Sequence, residues 1–125
     1  MNAAQNKRNK VMGTAYESAI VNYFRSRGFE ADRLRTSGKE DEGDIAVRDK
    51  VGTVAIIEAK AGKNVRPRWW YEEEAVPEAK KYTDRRSLLE PPMPVLAMKS
   101  HNKSIGKSLI VISLDDYTDL LGGSA

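Results

Sequence analysis

The segment Thr53 to Lys60, Thr-Val-Ala-Ile-Ile-Glu-Ala-Lys, most limits what this chain can fold into. Val54, Ala55, Ile56 and Ile57 are apolar at consecutive positions, so an extended strand here is apolar on both faces. Such a strand is covered on both sides and lies inside a sheet. At 125 residues and 14.0 kDa the chain supports one hydrophobic core and not two. The expected architecture is α/β, a central sheet flanked by helices.

The neighbouring segments supply the partners. Tyr16, Ala19, Ile20, Tyr23 and Phe24 recur at helical spacing and predict a helix from Thr14 to Arg27, stopped by Gly28. Glu30 to Thr36 reads as a short strand, and Asp44 to Arg48 as the next, closed by a connection over Asp49-Lys50-Val51-Gly52. Composition turns helical from Trp69 to about Leu89, with Pro77 either opening the main helix, Pro77 to Leu88, or kinking it. Pro91-Pro92 ends it, Pro94 to Lys99 and Ser108 to Leu114 read as strands around a basic loop, and Asp115-Asp116 is expected to cap a last helix, Tyr117 to Leu121. The predicted order is α-β-β-β-α-β-β-α, one domain over residues 11–125 behind a flexible basic tail at 1–10.

Composition removes several chemistries. Without cysteine there is no disulfide framework, zinc-thiolate site or thiol nucleophile, and His101, the one histidine, leaves little room for a Ser-His-Asp triad or a histidine-rich metal site. No apolar run approaches the ~20 residues of a membrane span, and the first ten residues lack the apolar stretch of a secretory signal; the expectation is a cytoplasmic protein without a membrane partner. Residues 1–10 hold Lys7, Arg8 and Lys10 and no acid, so they alone account for the net charge of +3. The remaining charges are segregated. Lys60, Lys63, Arg66 and Arg68 form one acid-free stretch and Lys99, His101, Lys103 and Lys107 another, with acidic blocks at Glu40 to Asp44 and Glu72 to Glu74. Basic loops around an acidic pocket suit a polyanion held over a metal site.

The chemistry concentrates where two strands meet. Asp44 opens one strand and Glu58-Ala59-Lys60 closes the next, and a hairpin brings their ends together. Glu58 and Lys60 are two apart, so their side chains leave one face of the sheet. A strand buried on both sides has no reason to end in a charged pair unless its end opens onto a cleft. Two converging carboxylates, with no sulfur or imidazole, suit a hard cation such as Mg²⁺. Lys60 adds a cation near a metal-bound water and the charge of a reacting phosphate.

Glu17, Gly43-Asp44 and Glu58-Ala59-Lys60 together resemble the signature of the PD-(D/E)xK nuclease superfamily, with Gly43 in the place of the proline. Gly13-x-x-x-Glu17, Gly28-Phe29, Arg35-x-Ser37-Gly38 and the Asp-then-Glu-x-Lys spacing resemble the archaeal-type Holliday junction resolvases, and over residues 11–121 the chain is similar to the short resolvase-like nucleases of actinobacterial phages. Trp69-Trp70, Glu74-Ala75, Lys99 and Leu114-Asp115-Asp116-Tyr117 belong to that similarity. The resemblance implies a restriction-endonuclease-like fold with a mixed sheet. It implies a Mg²⁺-dependent endonuclease, with Mn²⁺ expected to substitute, that cuts branched or four-way-junction DNA as a homodimer. Asp44 and Glu58 would hold the metal, Glu17 would complete its shell, Lys60 would orient and help deprotonate the attacking water, and Ser37 would approach the scissile phosphate as a secondary candidate. Lys7, Arg8, Lys10, Arg35, Lys63, Arg66, Arg68, Lys99, Lys103 and Lys107 are the expected DNA contacts. The glutamine that some members carry on the second helix is missing.

Other readings remain beside these. Thr14 to Glu17 has the form of a capping box, which would make Glu17 structural, and Ser37 suits a turn. Trp69 and Trp70 suit packing, and they also suit stacking on bases or on a partner subunit. A flap or end nuclease would use the same site, and a non-catalytic DNA-binding protein could keep the same fold. The apolar Leu109 to Leu114 segment and Trp69-Trp70 are the expected dimer patch.

Overall fold

The computed structural model describes residues 3–34 and 44–124, the side chains at 5, 6 and 8–10 excepted. Helix α1 spans Ala3–Ser26, so it begins well before the expected start at Thr14. Ala3, Ala4, Gln5, Lys7, Arg8 and Lys10 all favour helix, and Gly13 is a single interior glycine costing about 1 kcal/mol. Thr14 therefore lies inside the helix, and the capping box that would have made Glu17 a structural residue does not form. Gly28 ends α1 as expected. Its φ of 92° is left-handed backbone, and the turn closes with Phe29 N–H donating to the Phe24 carbonyl at 3.1 Å.

Strands β1 (Glu30–Arg33), β2 (Ile45–Arg48) and β3 (Thr53–Lys60) form an antiparallel meander, and β3 spans the residues expected of it. Strand β4 (Met93–Met98) runs parallel to β3, which requires a crossover, and β5 (Leu109–Val111) pairs antiparallel with β4. The result is one mixed five-stranded sheet of order β1-β2-β3-β4-β5. The crossover is helical from Pro67 to Arg85: α2 (Pro67–Trp70), a π-turn (Tyr71–Ala75) and α3 (Val76–Arg85). Pro77 lies in the first turn of α3, as expected, while the helical run continues upstream of it. In a regular helix its ring would press on the carbonyl of Glu73, and the wider π-turn just before it relieves that contact. The last helix, α4 (Leu114–Leu120), starts earlier than expected. Ser113 is its cap, its hydroxyl accepting from Asp116 N–H at 3.0 Å, and Asp115 and Asp116 lie in the first turn.

The sheet has a covered layer on each side. On one face α1 packs Tyr16, Ile20 and Val21 against Ile45, Val47, Ile57, Val95 and Ala97. On the other, α3 packs Ala79 and Tyr82 against Ala46 and Ile56, and the Tyr82 hydroxyl lies 3.0 Å from that of Thr53. The double coverage expected of the central strand is thus met at Ile56, Ile57 and Glu58, while Val54 reaches the surface. No helix among the described residues is long and apolar enough to cross a membrane.

Leu96 is fully buried and Val54 is 37% exposed. Leu96→Ala is expected to destabilise the fold by about 2–5 kcal/mol and Val54→Ala by about 0.5 kcal/mol, measured by urea denaturation.

Candidate active site

The antiparallel pairing of β2 with β3 sets Ile45 opposite Ile57, so the residue before β2 meets the end of β3. Asp44 is locked there twice. Its N–H donates to the Ile57 carbonyl at 3.0 Å, and its Oδ2 accepts the Ala59 N–H at 2.8 Å. The second bond turns the carboxylate toward β3, beside the Glu58 carboxyl. Glu58 is 5% exposed although charged by type, and Lys60 follows it on the same face.

Two further carboxyls join from the crossover, and sequence reasoning did not assign them to the site. Glu74, in the π-turn, ion-pairs with Lys60, whose Nζ lies 3.0 Å from both of its carboxylate oxygens. Glu78, on α3 and also buried, brings its carboxyl beside that of Glu58. Glu74 and Glu78 are one turn apart, about 6 Å of helix rise, and Lys60 and Glu58 are two strand positions apart, about 6.6 Å. The spacings match, so two pairs form side by side. Trp70, a further four residues back, lies under the Lys60 ammonium, its ring centroid 5.6 Å away. The available signal was this four-residue recurrence of Trp70, Glu74 and Glu78, but it acquires meaning only once the crossover lies against β3.

The electrostatics follow from crowding acids in a dry site. Burial pushes the Glu58 carboxyl far above the ordinary carboxylate range, and the adjacent Glu78 and Asp44 carboxyls add to the rise. For Lys60, burial acts to lower the pKa, but the Glu74 hydrogen bond and the negative charges of Glu74 and Asp44 outweigh it and raise the value. Lys60 is therefore held as an ammonium. Among the described residues, no three histidine, cysteine, aspartate or glutamate side chains form a ready-made cation cage. The chemistry of the pair nonetheless fits a hard divalent ion. Glu58 Oε2 is buried without a hydrogen-bond partner, Asp44 stands beside it, and every donor is oxygen.

The other expected site residues are dispersed. Glu17 lies on α1, over the opposite face of the sheet, with an oxygen 3.7 Å from the Arg33 guanidinium. Arg33 pairs with Ile45, which keeps Glu17 at the same end of the sheet as Asp44. Ser37 and Arg35 lie outside the described residues, as do the side chains of Arg8 and Lys10. Lys7, Lys63, Arg66 and Arg68 are exposed, and so are Lys99, Lys103 and Lys107 on the β4–β5 connection. Arg66 stacks on Trp69 at 4.5 Å from the ring centroid, and Arg68 pairs with Glu72. His101 is half-buried on the β4–β5 connection.

Comparison with solved structures adds a relative in shape. Over 90% of this chain and 98% of the other, the fold superposes with a TM-score of 0.51 on Hjc, a Holliday junction resolvase from the archaeal hyperthermophile Archaeoglobus fulgidus. This chain shares its fold with an archaeal resolvase. Sequence identity is 15%, so the likeness is one of architecture: a restriction-endonuclease-like mixed sheet between helices. No protein-family model and no curated protein matches the sequence.

The raised Glu58 pKa has a directional consequence for stability. Above the ordinary carboxyl pKa the unfolded chain releases this proton while the folded chain keeps it, so stability falls as pH rises. In EDTA, Tm is expected to decline from pH 5 to pH 8, and Glu58→Gln is expected to flatten that decline. Mg²⁺ is expected to raise Tm more at pH 8 than at pH 5. Scanning calorimetry checks all three, and an unchanged pH slope in Glu58→Gln would remove the carboxyl as its source.

Proposed function

We propose that this chain is a metal-dependent endonuclease of the PD-(D/E)xK kind that cuts phosphodiester bonds in branched DNA. The observation that carries this reading is the meeting of Asp44, Glu58 and Lys60 at one sheet end, within a fold shared with a Holliday junction resolvase. Asp44 and Glu58 would hold Mg²⁺, or Mn²⁺ in its place, which supplies Lewis acidity toward water and phosphate. The Ala59 N–H fixes the Asp44 carboxylate, and Glu78 braces Glu58 from the helix side. Lys60 contributes a permanent positive charge where negative charge grows on the phosphate, held in place by Glu74 and the Trp70 ring. Glu17 is assigned to the outer part of the same site, acting on the cation directly or through water, and Ser37 to a secondary contact with the scissile phosphate.

The expected basic contacts are assigned to the DNA backbone. Lys99, Lys103 and Lys107 line one side, and Lys63, Arg66 and Arg68 the other; Lys7, Arg8, Lys10 and Arg35 complete the set. Contacts to phosphates position a duplex without reading its sequence, which suits selection by branch shape.

Two cuts across a junction require two sites, and one chain supplies one. We therefore propose a homodimer. What supports it is the exposed apolar side chains of β5 and of the helix that follows it: Leu109 and Ile110 on β5 and Leu114, Leu120 and Leu121 at α4 are all more than half exposed. Strand β5 also leaves one edge of the sheet open. This widens the expected Leu109 to Leu114 patch to include α4.

With a four-way junction and Mg²⁺, Asp44→Asn and Glu58→Gln are each expected to reduce cleavage at least about a hundredfold while folding is retained. Cleavage by either variant near the wild-type rate would overturn the assignment. Wild-type cleavage of flaps or ends but not of junctions would move the reading to a flap or end nuclease. Light scattering at micromolar concentration is expected to give the dimer mass, and Leu109→Asp with Leu114→Asp is expected to give the monomer. A monomeric wild type, both alone and on the junction, would end the resolvase reading.

A further inference from the structure

A cavity of about 190 Å³ lies between α1 and the β4–β5 connection, separate from the Asp44–Glu58 cleft. Tyr16 forms its helical wall, and Lys99, Ser100, Lys103, Ser104 and Ser108 face it from the connection. No carboxylate lines it among the described residues, where Lys99 and Lys103 also form no ion pair. Two lysines that line one cavity without a counter-charge favour an anion. The hydroxyls extend the same preference. Tyr16 is 3% exposed, and its oxygen makes no hydrogen bond of ordinary geometry among the described residues. Burial raises the phenol pKa and keeps the group a neutral donor, while the nearby Ser108 hydroxyl partly offsets that rise. Ser100 already donates to the Lys107 carbonyl at 2.6 Å, which leaves Ser104, Ser108, Tyr16 and the two lysines as donors. Several convergent donors with no carboxylate acceptor match the multiple acceptor oxygens of a phosphate group.

Its place in the fold connects it to the cleft. Lys99 N–H donates to the Lys60 carbonyl at 3.0 Å, so the cavity begins one strand over from the active cleft, at the same end of the sheet. Neighbouring strands are about 4.8 Å apart. An anion in the cavity and a phosphate at Lys60 are thus close enough to belong to one nucleic-acid strand that crosses the sheet end from the α3 side to the α1 side.

We propose that this cavity binds a backbone phosphate of the DNA, flanking the one presented to the Asp44–Glu58 cleft. It rests on the nuclease reading and adds a second fixed point, which sets the direction of the strand through the site.

The test uses the full chain and a four-way junction in EDTA, so that binding is measured without cleavage. Tyr16→Phe keeps the ring and removes only the hydroxyl, and Ser108→Ala does the same on the facing wall. Each is expected to bind about tenfold more weakly with an unchanged salt slope, whereas Lys103→Gln is expected to reduce that slope by about 0.9. Neutral methylphosphonates are then placed one linkage at a time around the cleavage position. At one linkage the wild type is expected to lose about tenfold and Tyr16→Phe to lose no more than it already has, since both changes delete one contact. Additive losses at every linkage, or wild-type affinity in both Tyr16→Phe and Ser108→Ala, would overturn the phosphate seat and leave the nuclease reading standing. Inorganic phosphate that shifts the Tyr16 ring signals in NMR, without coupling on the junction, would overturn the DNA seat in favour of a small phosphate. A wild type that neither binds nor cuts DNA would overturn both.

Discussion

The rest of this structure is organised around a buried carboxyl. Glu58 lies on the central strand, among residues that exclude water, and an isolated carboxylate in such a place would cost several kcal/mol. The neighbours answer that cost in two ways. Asp44 and Glu78 press further carboxyls against it, which favours its protonated form, and Lys60 places a cation two positions along the strand. The arrangement is poor for stability and well suited to capturing a divalent ion, because a cation shared by Asp44 and Glu58 would replace a proton and relieve the repulsion between them.

The crossover to β4 does more than link parallel strands. With the π-turn absorbing Pro77, the helical run brings Glu74 to Lys60 and Glu78 to Glu58 in matching steps, while Tyr82 meets Thr53 at the start of β3. The helix thus lies along β3 in the opposite direction and presents an acidic stripe to it. An ammonium fixed between Glu74 and the Trp70 ring loses freedom before any substrate arrives, and that preorganisation makes an electrostatic group effective.

Both faces of the sheet contribute to the functional end. Asp44, Glu58 and Lys60 belong to the α3 side, and Glu17, Arg33 and the Tyr16 cavity to the α1 side. On the proposed reading, a strand of nucleic acid crosses the sheet end between them, past the acidic groups of the cleft and the lysines on the β4–β5 connection.

Much of this was legible in the chain itself. The apolar run from Val54 to Ile57 pointed to a strand covered on both faces, which holds at Ile56 and Ile57 but not at the exposed Val54, and the Glu58-Ala59-Lys60 ending follows directly on the covered part. Asp44 was recoverable too, since a short hairpin fixes which residues face each other. Glu74 and Glu78 were not, because helix-to-strand packing depends on a register between the two elements that local spacing does not encode, here altered by the π-turn ahead of Pro77. The extension of α1 back to Ala3 was missed for a different reason: a run of good helix formers without an apolar stripe looks the same, by periodicity, as a solvated tail. Sequence alone determined the strand order along the chain and the acids and lysine of the cleft, since these follow from period and chemistry over a few residues. Only tertiary structure decided which face each group serves, which second carboxyl braces each catalytic candidate, and that Tyr16 and the β4–β5 serines and lysines enclose one cavity, because those relations join residues far apart in sequence through packing.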